Sequence, residues 1–421
     1  MFIDLFNMSP EDEYYLLKLL LRSDAGMHYL PNKKFTLTTE PYEHYLAAIL
    51  SPLALESEPP FAEPSLPQQI EVEIFLSRLL LKSEEGDEIN FYVIENDFFA
   101  KGQFGKVYRS PVKITLDSVG QLKIIVTNNI AKQLTDIDKP EFHQNVLREY
   151  SHLQSVDKTA RLIRHTGSLA EASYWLLMKE IKGVTLDKVD LNKAGLANKF
   201  KIALSALLAL IHFHDPVDSD ETHVHNDIKP VNIIVDDDYI AHLIDFGMAT
   251  YEDETRPGGN LAYLAPEYDR NAPKAKKEND VHALGLILFQ LFLEIDKPFR
   301  SLPKGRYQGL KSAYPVVTAK KEFQPVKVYR SRADQLMHRF NFSDKSQATR
   351  PVITGLNKED ARELFVLFKR MRDKDSDRRP AAIDVYHQML AIACNVAEFE
   401  PSYFEAQGSL LSLRSQAQLE W

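Results

Sequence analysis

Two short β-branched, apolar runs constrain this chain more than any other feature: Ile233-Ile234-Val235 and His242-Leu243-Ile244. The first follows His225-Asn226-Asp227-Ile228-Lys229-Pro230-Val231-Asn232, and the second leads into Asp245-Phe246-Gly247. Runs of this length and composition read as short strands, and short strands present the loop residues at their ends to the edge of a cleft. The loops carry two carboxylates (Asp227, Asp245), an amide (Asn232) and an ammonium group (Lys229), a set suited to a metal ion and to an anionic or hydroxyl-bearing substrate.

The chain around those runs changes character along its length. Residues 10–23, 42–53 and 70–82 have apolar residues at helical spacing, and Pro59, Pro60, Pro64 and Pro67 divide them, so the sequence predicts a helical leading region over 1–89. From Asn90 the runs 91–94, 112–116 and 122–130 are β-branched and separated by Gly or by Asp117-Ser118-Val119-Gly120, the signature of antiparallel strands and hairpins. Beyond about residue 193 the pattern is helical, most clearly at 200–212, 281–293, 360–371 and 381–393. The expected class is α+β, with a small antiparallel sheet followed by a larger helical part.

The loop His225–Asn232, followed thirteen positions later by Asp245-Phe246-Gly247, resembles the paired loops that hold Mg-ATP and the accepting hydroxyl in eukaryotic-type serine/threonine protein kinases. The resemblance implies a bilobal fold with an N-lobe and hinge over 90–181, a C-lobe over 182–395 and a tail over 396–421. It implies ATP and Mg²⁺ as cofactors. Asp227 would accept the proton of the attacking hydroxyl, Lys229 would steady the moving phosphoryl group, and Asn232 and Asp245 would hold the metal.

Ala100-Lys101-Gly102-Gln103-Phe104-Gly105-Lys106-Val107 is similar to the family's glycine-rich loop, with Ala100 where its first glycine usually stands. Ala100, Gly102, Gly105 and Val107 are therefore candidate nucleotide contacts, because glycine lets a backbone approach phosphate closely. Lys123 and Lys132, 18 and 27 residues after Gly105, compete to hold the α and β phosphates. Spacing favours Lys123. A hairpin folded about Val119 instead sets residue 107 opposite 131, which places Lys132 beside the glycine loop and Lys123 near the far tip. Ile130-Ala131-Lys132 also matches the family's Val-Ala-Ile-Lys better, so Lys132 is expected to fill this role, with Glu149, 17 residues on, as its ion-pair partner. Trp175–Ile181 resembles the hinge; the resemblance implies adenine bonded to the backbone at Lys179 and Ile181, with Met178 limiting the rear pocket.

Aminoglycoside and choline kinases share such a core, and Asn226 suits their His-Asn-Asp loop. Four features favour a protein kinase: Lys229; Ala265-Pro266-Glu267, which closes an activation segment of 23 residues from Asp245; Asp280-Val281-His282-Ala283-Leu284-Gly285, whose Asp would anchor the catalytic loop; and Arg378-Arg379-Pro380, with Arg379 expected to pair with Glu267. Lys229-Pro230 fits the Ser/Thr version of the loop. Gly259-Asn260-Leu261 replaces the usual Gly-Thr-Pro, and Asn260 is expected to hydrogen-bond near Asp227 and Lys229. The full set Lys132, Glu149, Asp227, Asn232 and Asp245 argues against the alternative of a pseudokinase or scaffold.

Asn226 occupies the position where kinases switched by loop phosphorylation carry an Arg. Tyr251 and Thr255 flank Glu252, Asp253 and Glu254, where added phosphate would meet like charge. Activity without loop phosphorylation is the expectation, with control by the leading region or by a basic insertion. That insertion, at about 299–350, holds 12 Lys and Arg against 3 Asp and Glu in a chain of net charge −9. It is a candidate surface for an acidic partner, alongside the expected protein substrate; nucleic acid is not expected. One cysteine, Cys394, excludes an intrachain disulfide and a Cys-based zinc cage and suits a reducing compartment. Neither a secretory signal nor a membrane span is visible, so the expected location is cytoplasmic, or a host cell if the chain is a bacterial effector kinase, a type that its divergent flanks fit.

Overall fold

The computed structural model describes residues 33–38, 69–74, 79–85, 88–94, 98–101, 105–116, 122–134, 142–165, 173–217, 219–260, 262–269, 274–292 and 353–419. Expectations for 10–23, 42–53, Gly102 and the basic segment 299–350 lie outside those residues. The chain divides into two compact units, one comprising residues 1–150 and 157–180, the other residues 151–156 and 181–421. The chain crosses between them after Glu180, inside the segment that resembles a hinge.

In the first unit β1 (Lys33–Thr38) pairs antiparallel with β2 (Gln69–Ile74) as a two-stranded sheet. A second sheet contains β3 (Leu79–Glu85), β4 (Glu88–Ile94), β5 (Phe98–Lys101), β6 (Gly105–Leu116), β7 (Leu122–Leu134), β8 (Arg161–His165) and β9 (Ser173–Lys179). Its order is β3-β4-β6-β7-β9-β8, with β5 also paired to β6. The helix expected over 70–82 is therefore incorrect, and the described residues of the leading region are strands. The reason is visible in Ile70-Glu71-Val72-Glu73-Ile74, where apolar and acidic residues alternate with period two, the strand period, and not at helical spacing. In β3, Leu81 is buried with Tyr92, Ile94, Ala131, Ile163, Trp175 and Leu177 in one apolar cluster, so sheet packing decides its state.

The β6–β7 hairpin closes at Leu116↔Leu122, which centres it on Val119. Its register slips by one residue between Ser110 and Val112, so Val107 faces Lys132 where strict counting expects residue 131. Pro111 sits at the slip. A proline has no amide hydrogen to give the ladder, and bulges are where strands accommodate it. Thr127 Oγ1 closes the gap by donating to the Ser110 carbonyl at 2.7 Å. Helix α1 (Phe142–Val156) follows β7.

The second unit is built on α2 (Leu191–His214), α3 (Lys277–Phe292), α4 (Lys358–Met371), α5 (Ala382–Ala393) and α6 (Ser402–Leu419). Helix α2 is long and apolar enough to cross a membrane by length and composition. Phe200, Ile202, Leu204, Leu207, Leu210 and Phe213 are buried, however, and α2 packs on α5 and on the strand Ala241–Leu243, as a core helix does. Phe200 meets Phe292 at 4.8 Å between ring centroids, and Phe289 meets Phe365 at 5.5 Å. Asn357 caps α4 by accepting from the amides of Glu359 and Asp360. The tail helix α6 buries Phe404 and Leu411, and its Phe404 carbonyl accepts from the Tyr386 hydroxyl at 2.6 Å.

Short strands complete this unit. β10 (Val184–Thr185), β12 (Ile233–Val235) and β13 (Ala241–Leu243) form one sheet, while β11 (His223–Val224) pairs with β14 (Thr250–Tyr251). The two β-branched runs thus pair with each other, Ile233↔Leu243 through Val235↔Ala241.

Candidate active site

In the first unit Lys132 Nζ lies 2.6 Å from Glu149 Oε1, with the two side chains 10% and 9% exposed. Strand β7 directs the ammonium and helix α1 supplies the carboxylate. A pair this buried is weak evidence of stability, because desolvation offsets the Coulomb attraction, and better evidence of a positioned cation. Lys123 faces Thr115 near the hairpin tip. Ala100 pairs with Val107 in the β5–β6 ribbon. A Cβ at Gly105 would overlap the Gln133 carbonyl, so strand contact alone requires glycine there. Met178 and Lys179 pair with Ile130 and Asn129. The Lys179 amide donates to Asp157 Oδ2 at 3.1 Å, and the Glu180 amide donates to the Asn128 carbonyl at 2.6 Å.

In the second unit the loop between β11 and β12 is anchored from below by Asp280, near the start of α3. Its carboxylate accepts from the amides of His225 (2.7 Å) and Asn226 (2.9 Å) and from His214 Nε2 (3.0 Å). Burial pushes the Asp280 carboxyl up, but the His214 hydrogen bond, the His214 and His225 rings and the His225 amide outweigh it and hold it below the usual carboxylate range.

Asp227 is 7% exposed. Its Oδ2 accepts from Lys229 Nζ and, at 3.1 Å, from Asn232 Nδ2, while Oδ1 accepts from the Asn260 amide at 3.2 Å. Asn260 thus reaches Asp227 through its backbone; its side-chain oxygen instead accepts from the Ala262 amide at 3.0 Å. Asn232 Nδ2 also donates to the Asp227 carbonyl at 3.0 Å. With the donor end of that amide committed, its oxygen is the end left for a cation. The Asn232 carbonyl accepts from the Ile244 amide at 3.0 Å, which fixes the second loop to the first one residue before Asp245. Asp245 has left-handed backbone, φ 66°, which Asp tolerates better than most residues.

Among the described residues no group of three or more His, Cys, Asp and Glu could hold a metal. Mg²⁺ needs no such cage: it keeps waters and substrate phosphates and takes only one or two protein oxygens. Asp245 with the Asn232 oxygen is a donor set of that kind.

Arg379 ties down the end of the segment that starts at Asp245. Its guanidinium, fully buried, meets Glu267 in a fork, Nη1 to Oε1 at 2.6 Å and Nη2 to Oε2 at 2.7 Å, and also donates to the carbonyls of Asp373 and Glu278. Burial pushes the Glu267 carboxyl up, and the Arg379 hydrogen bonds and charge hold it below its ordinary range. Sequence reasoning missed Arg256, which is 6% exposed and donates from Nη2 to the Asn226 carbonyl at 3.0 Å. A lone arginine inside an acidic segment carries no motif to single it out. It also missed the rings of His152, His223 and Tyr251, which meet at centroid distances of 4.7–5.2 Å.

Comparison with known proteins agrees with this geometry. The protein kinase domain family matches residues 96–390. The chain is 27% identical over 250 residues to the G-type lectin S-receptor-like serine/threonine-protein kinase LECRK1 of Oryza sativa subsp. japonica, covering 57% of this chain and 28% of that one. It is 27% identical over 244 residues to the probable serine/threonine-protein kinase PBL15 of Arabidopsis thaliana, covering 55% of each. It is 32% identical over 214 residues to the G-type lectin S-receptor-like serine/threonine-protein kinase SD2-5 of Arabidopsis thaliana, covering 47% of this chain and 24% of that one. The match therefore spans about a quarter to about half the length of these relatives. With the family matched over well more than half of the chain, and with the two loops joined by the Asn232–Ile244 hydrogen bond, the chain belongs to the protein kinase family.

Proposed function

We propose that the chain transfers the γ-phosphoryl group of ATP to Ser or Thr hydroxyls of protein substrates. The observation that carries the reading is the buried Asp227 carboxylate, held in one network by Lys229, Asn232 and the Asn260 amide. In this reading the substrate hydroxyl attacks the γ-phosphorus, its proton passes to Asp227, and the bond to the β,γ-bridging oxygen breaks to release ADP. Lys229 offsets charge on the moving phosphoryl group. Lys132, oriented by Glu149, holds the α and β phosphates; Ala100, Gly102, Gly105 and Val107 cover them; and the backbone of Lys179 and Ile181 takes the adenine beside Met178. Asn232 and Asp245 would hold Mg²⁺, which would supply charge neutralisation at the phosphates. Positioning and electrostatics account for most of the rate gain in such chemistry.

Lys229 and the names of the relatives support Ser/Thr over Tyr. The test is transfer from Mg-ATP to a generic basic protein, followed by identification of the phosphoamino acids. Asp227→Ala should lower transfer by about 10²–10⁴, the usual contribution of a positioned general base, while Mg-ATP still raises the melting temperature. Undiminished transfer by Asp227→Ala rejects the assignment. A wild-type chain that binds Mg-ATP without transferring phosphate supports the pseudokinase alternative.

A further inference from the structure

The catalytic loop and the activation segment are joined at Asn226 by hydrogen bonds that run in both directions. Outward, Asn226 Nδ2 lies 3.0 Å from the Met248 carbonyl and 2.9 Å from Thr250 Oγ1, as well as 3.2 Å from the Val224 carbonyl. Inward, Arg256 Nη2 donates to the Asn226 carbonyl at 3.0 Å. The parts are buried: Asn226 is 2% exposed, Thr250 1% and Arg256 6%. Asn226 adopts φ 64°, a left-handed backbone in which Asn is enriched and a longer side chain is disfavoured. Gly259 lets the returning segment pass close by, since a Cβ there would stand 2.6 Å from the Asn226 carbonyl oxygen and 2.9 Å from Leu264 Cδ2. One residue further on, the Asn260 amide reaches Asp227.

A hydrogen bond from a guanidinium to a buried carbonyl is of the charge-assisted kind, stronger than its neutral counterpart. Here it acts on the carbonyl of the residue immediately before Asp227, so a shift of Arg256 displaces the peptide that carries the reacting carboxylate. The Asn226–Arg256 contacts need no added charge. From these contacts we infer that Arg256, with Asn226 and Thr250, forms a phosphate-free latch that seats the activation segment on the catalytic loop, Arg256 serving as a positioning residue for Asp227. This rests on the kinase reading for its consequence and on the hydrogen bonds alone for its existence.

The experiment uses the full chain, treated with a protein phosphatase, and compares wild type with Arg256→Ala, Thr250→Val and Thr250→Ser. Amide hydrogen exchange reads the latch, and steady-state transfer from Mg-ATP to a generic basic protein reads its consequence. In the treated wild type the peptides covering 248–264 should be protected. Arg256→Ala should speed their exchange by about tenfold or more, the fold-change of one hydrogen bond to a charged group, and Thr250→Val by about two- to tenfold, that of a neutral one, with helices α2 and α5 unaffected. Thr250→Ser, which keeps the hydroxyl, should restore protection. Arg256→Ala should lower kcat with the KM for ATP unchanged, which simple loss of folded protein would not do. The latch is overturned if exchange over 248–264 is unchanged in both variants, if it rises equally in α2 and α5, or if phosphatase treatment alone removes the wild-type protection. Absence of transfer by the wild type would instead reject the kinase reading and leave the latch to be decided by exchange.

Discussion

At the scale of single residues, the choice between Lys132 and Lys123 shows how the sequence had to be read. Spacing from Gly105 favours Lys123, and the geometry of a folded hairpin, together with the Ile130-Ala131-Lys132 match, moves the choice to Lys132. Even that geometry errs by one residue, because nothing short of the pairing itself reveals the slip beside Pro111 that sets Val107 opposite Lys132 instead of residue 131. The residue that emerges is buried against Glu149 at 2.6 Å. Side chains in direct contact couple by about 0.5–3 kcal/mol in a double-mutant cycle. Lys132→Met and Glu149→Gln should therefore each lower phosphate transfer, and the double variant should be little worse than Lys132→Met alone. Lys123→Met, made as a control at the hairpin tip, should transfer as the wild type does. Strict additivity of the two losses would separate Glu149 from the work of Lys132.

At the scale of elements, helices were legible because their period is long and repeated: the expected 281–293, 360–371 and 381–393 correspond to Lys277–Phe292, Lys358–Met371 and Ala382–Ala393. The short alternation of Ile70, Val72 and Ile74 was hidden beside longer apolar runs, and a strand appeared where a helix was expected. The start of α3 shows what one element can do for another. Asp280 is 1% exposed and takes two backbone amides and one imidazole from the catalytic loop and α2. Asp280→Ala strands those donors in the interior, at about 1–3 kcal/mol for each unsatisfied group. The expected outcome is a fall of at least about 3 kcal/mol in urea unfolding of the second unit, the low end for three stranded donors, together with loss of transfer. Asp280→Asn keeps one acceptor oxygen and should fall between. A wild-type unfolding midpoint in Asp280→Ala would deny that α3 holds the loop.

At the scale of the whole molecule, the buried ionisable groups of the second unit set how it meets acid. His223 is neutral in the fold: burial, then the neighbouring His214 charge, lower it from 6.5 to about 4, with Asp215 acting weakly the other way. Its ring faces His152, 3.3 Å away between Nδ1 atoms, and the rings of Phe213 and Tyr251. Between about pH 6.5 and 4 the unfolded chain binds a proton at this residue that the folded chain does not. The stability from keeping it neutral is whole above 6.5 and declines as pH falls towards 4. Glu267 and Asp280 have the opposite chemistry and the same sign: both are held below their ordinary range as carboxylates. Their contribution is present above the unfolded carboxylate values and is lost as pH falls through the folded ones, so their decline starts lower than that of His223. Urea unfolding followed by circular dichroism should give a plateau above about pH 7 and then two successive losses on acidification. His223→Phe should flatten the first and spare the second. Arg379→Met, which removes the fork that keeps Glu267 ionised, should shrink the second and leave the first in place. If His223→Phe leaves the slope between pH 6.5 and 4 unchanged, the packing of His152, His223 and Tyr251 does not control the acid response.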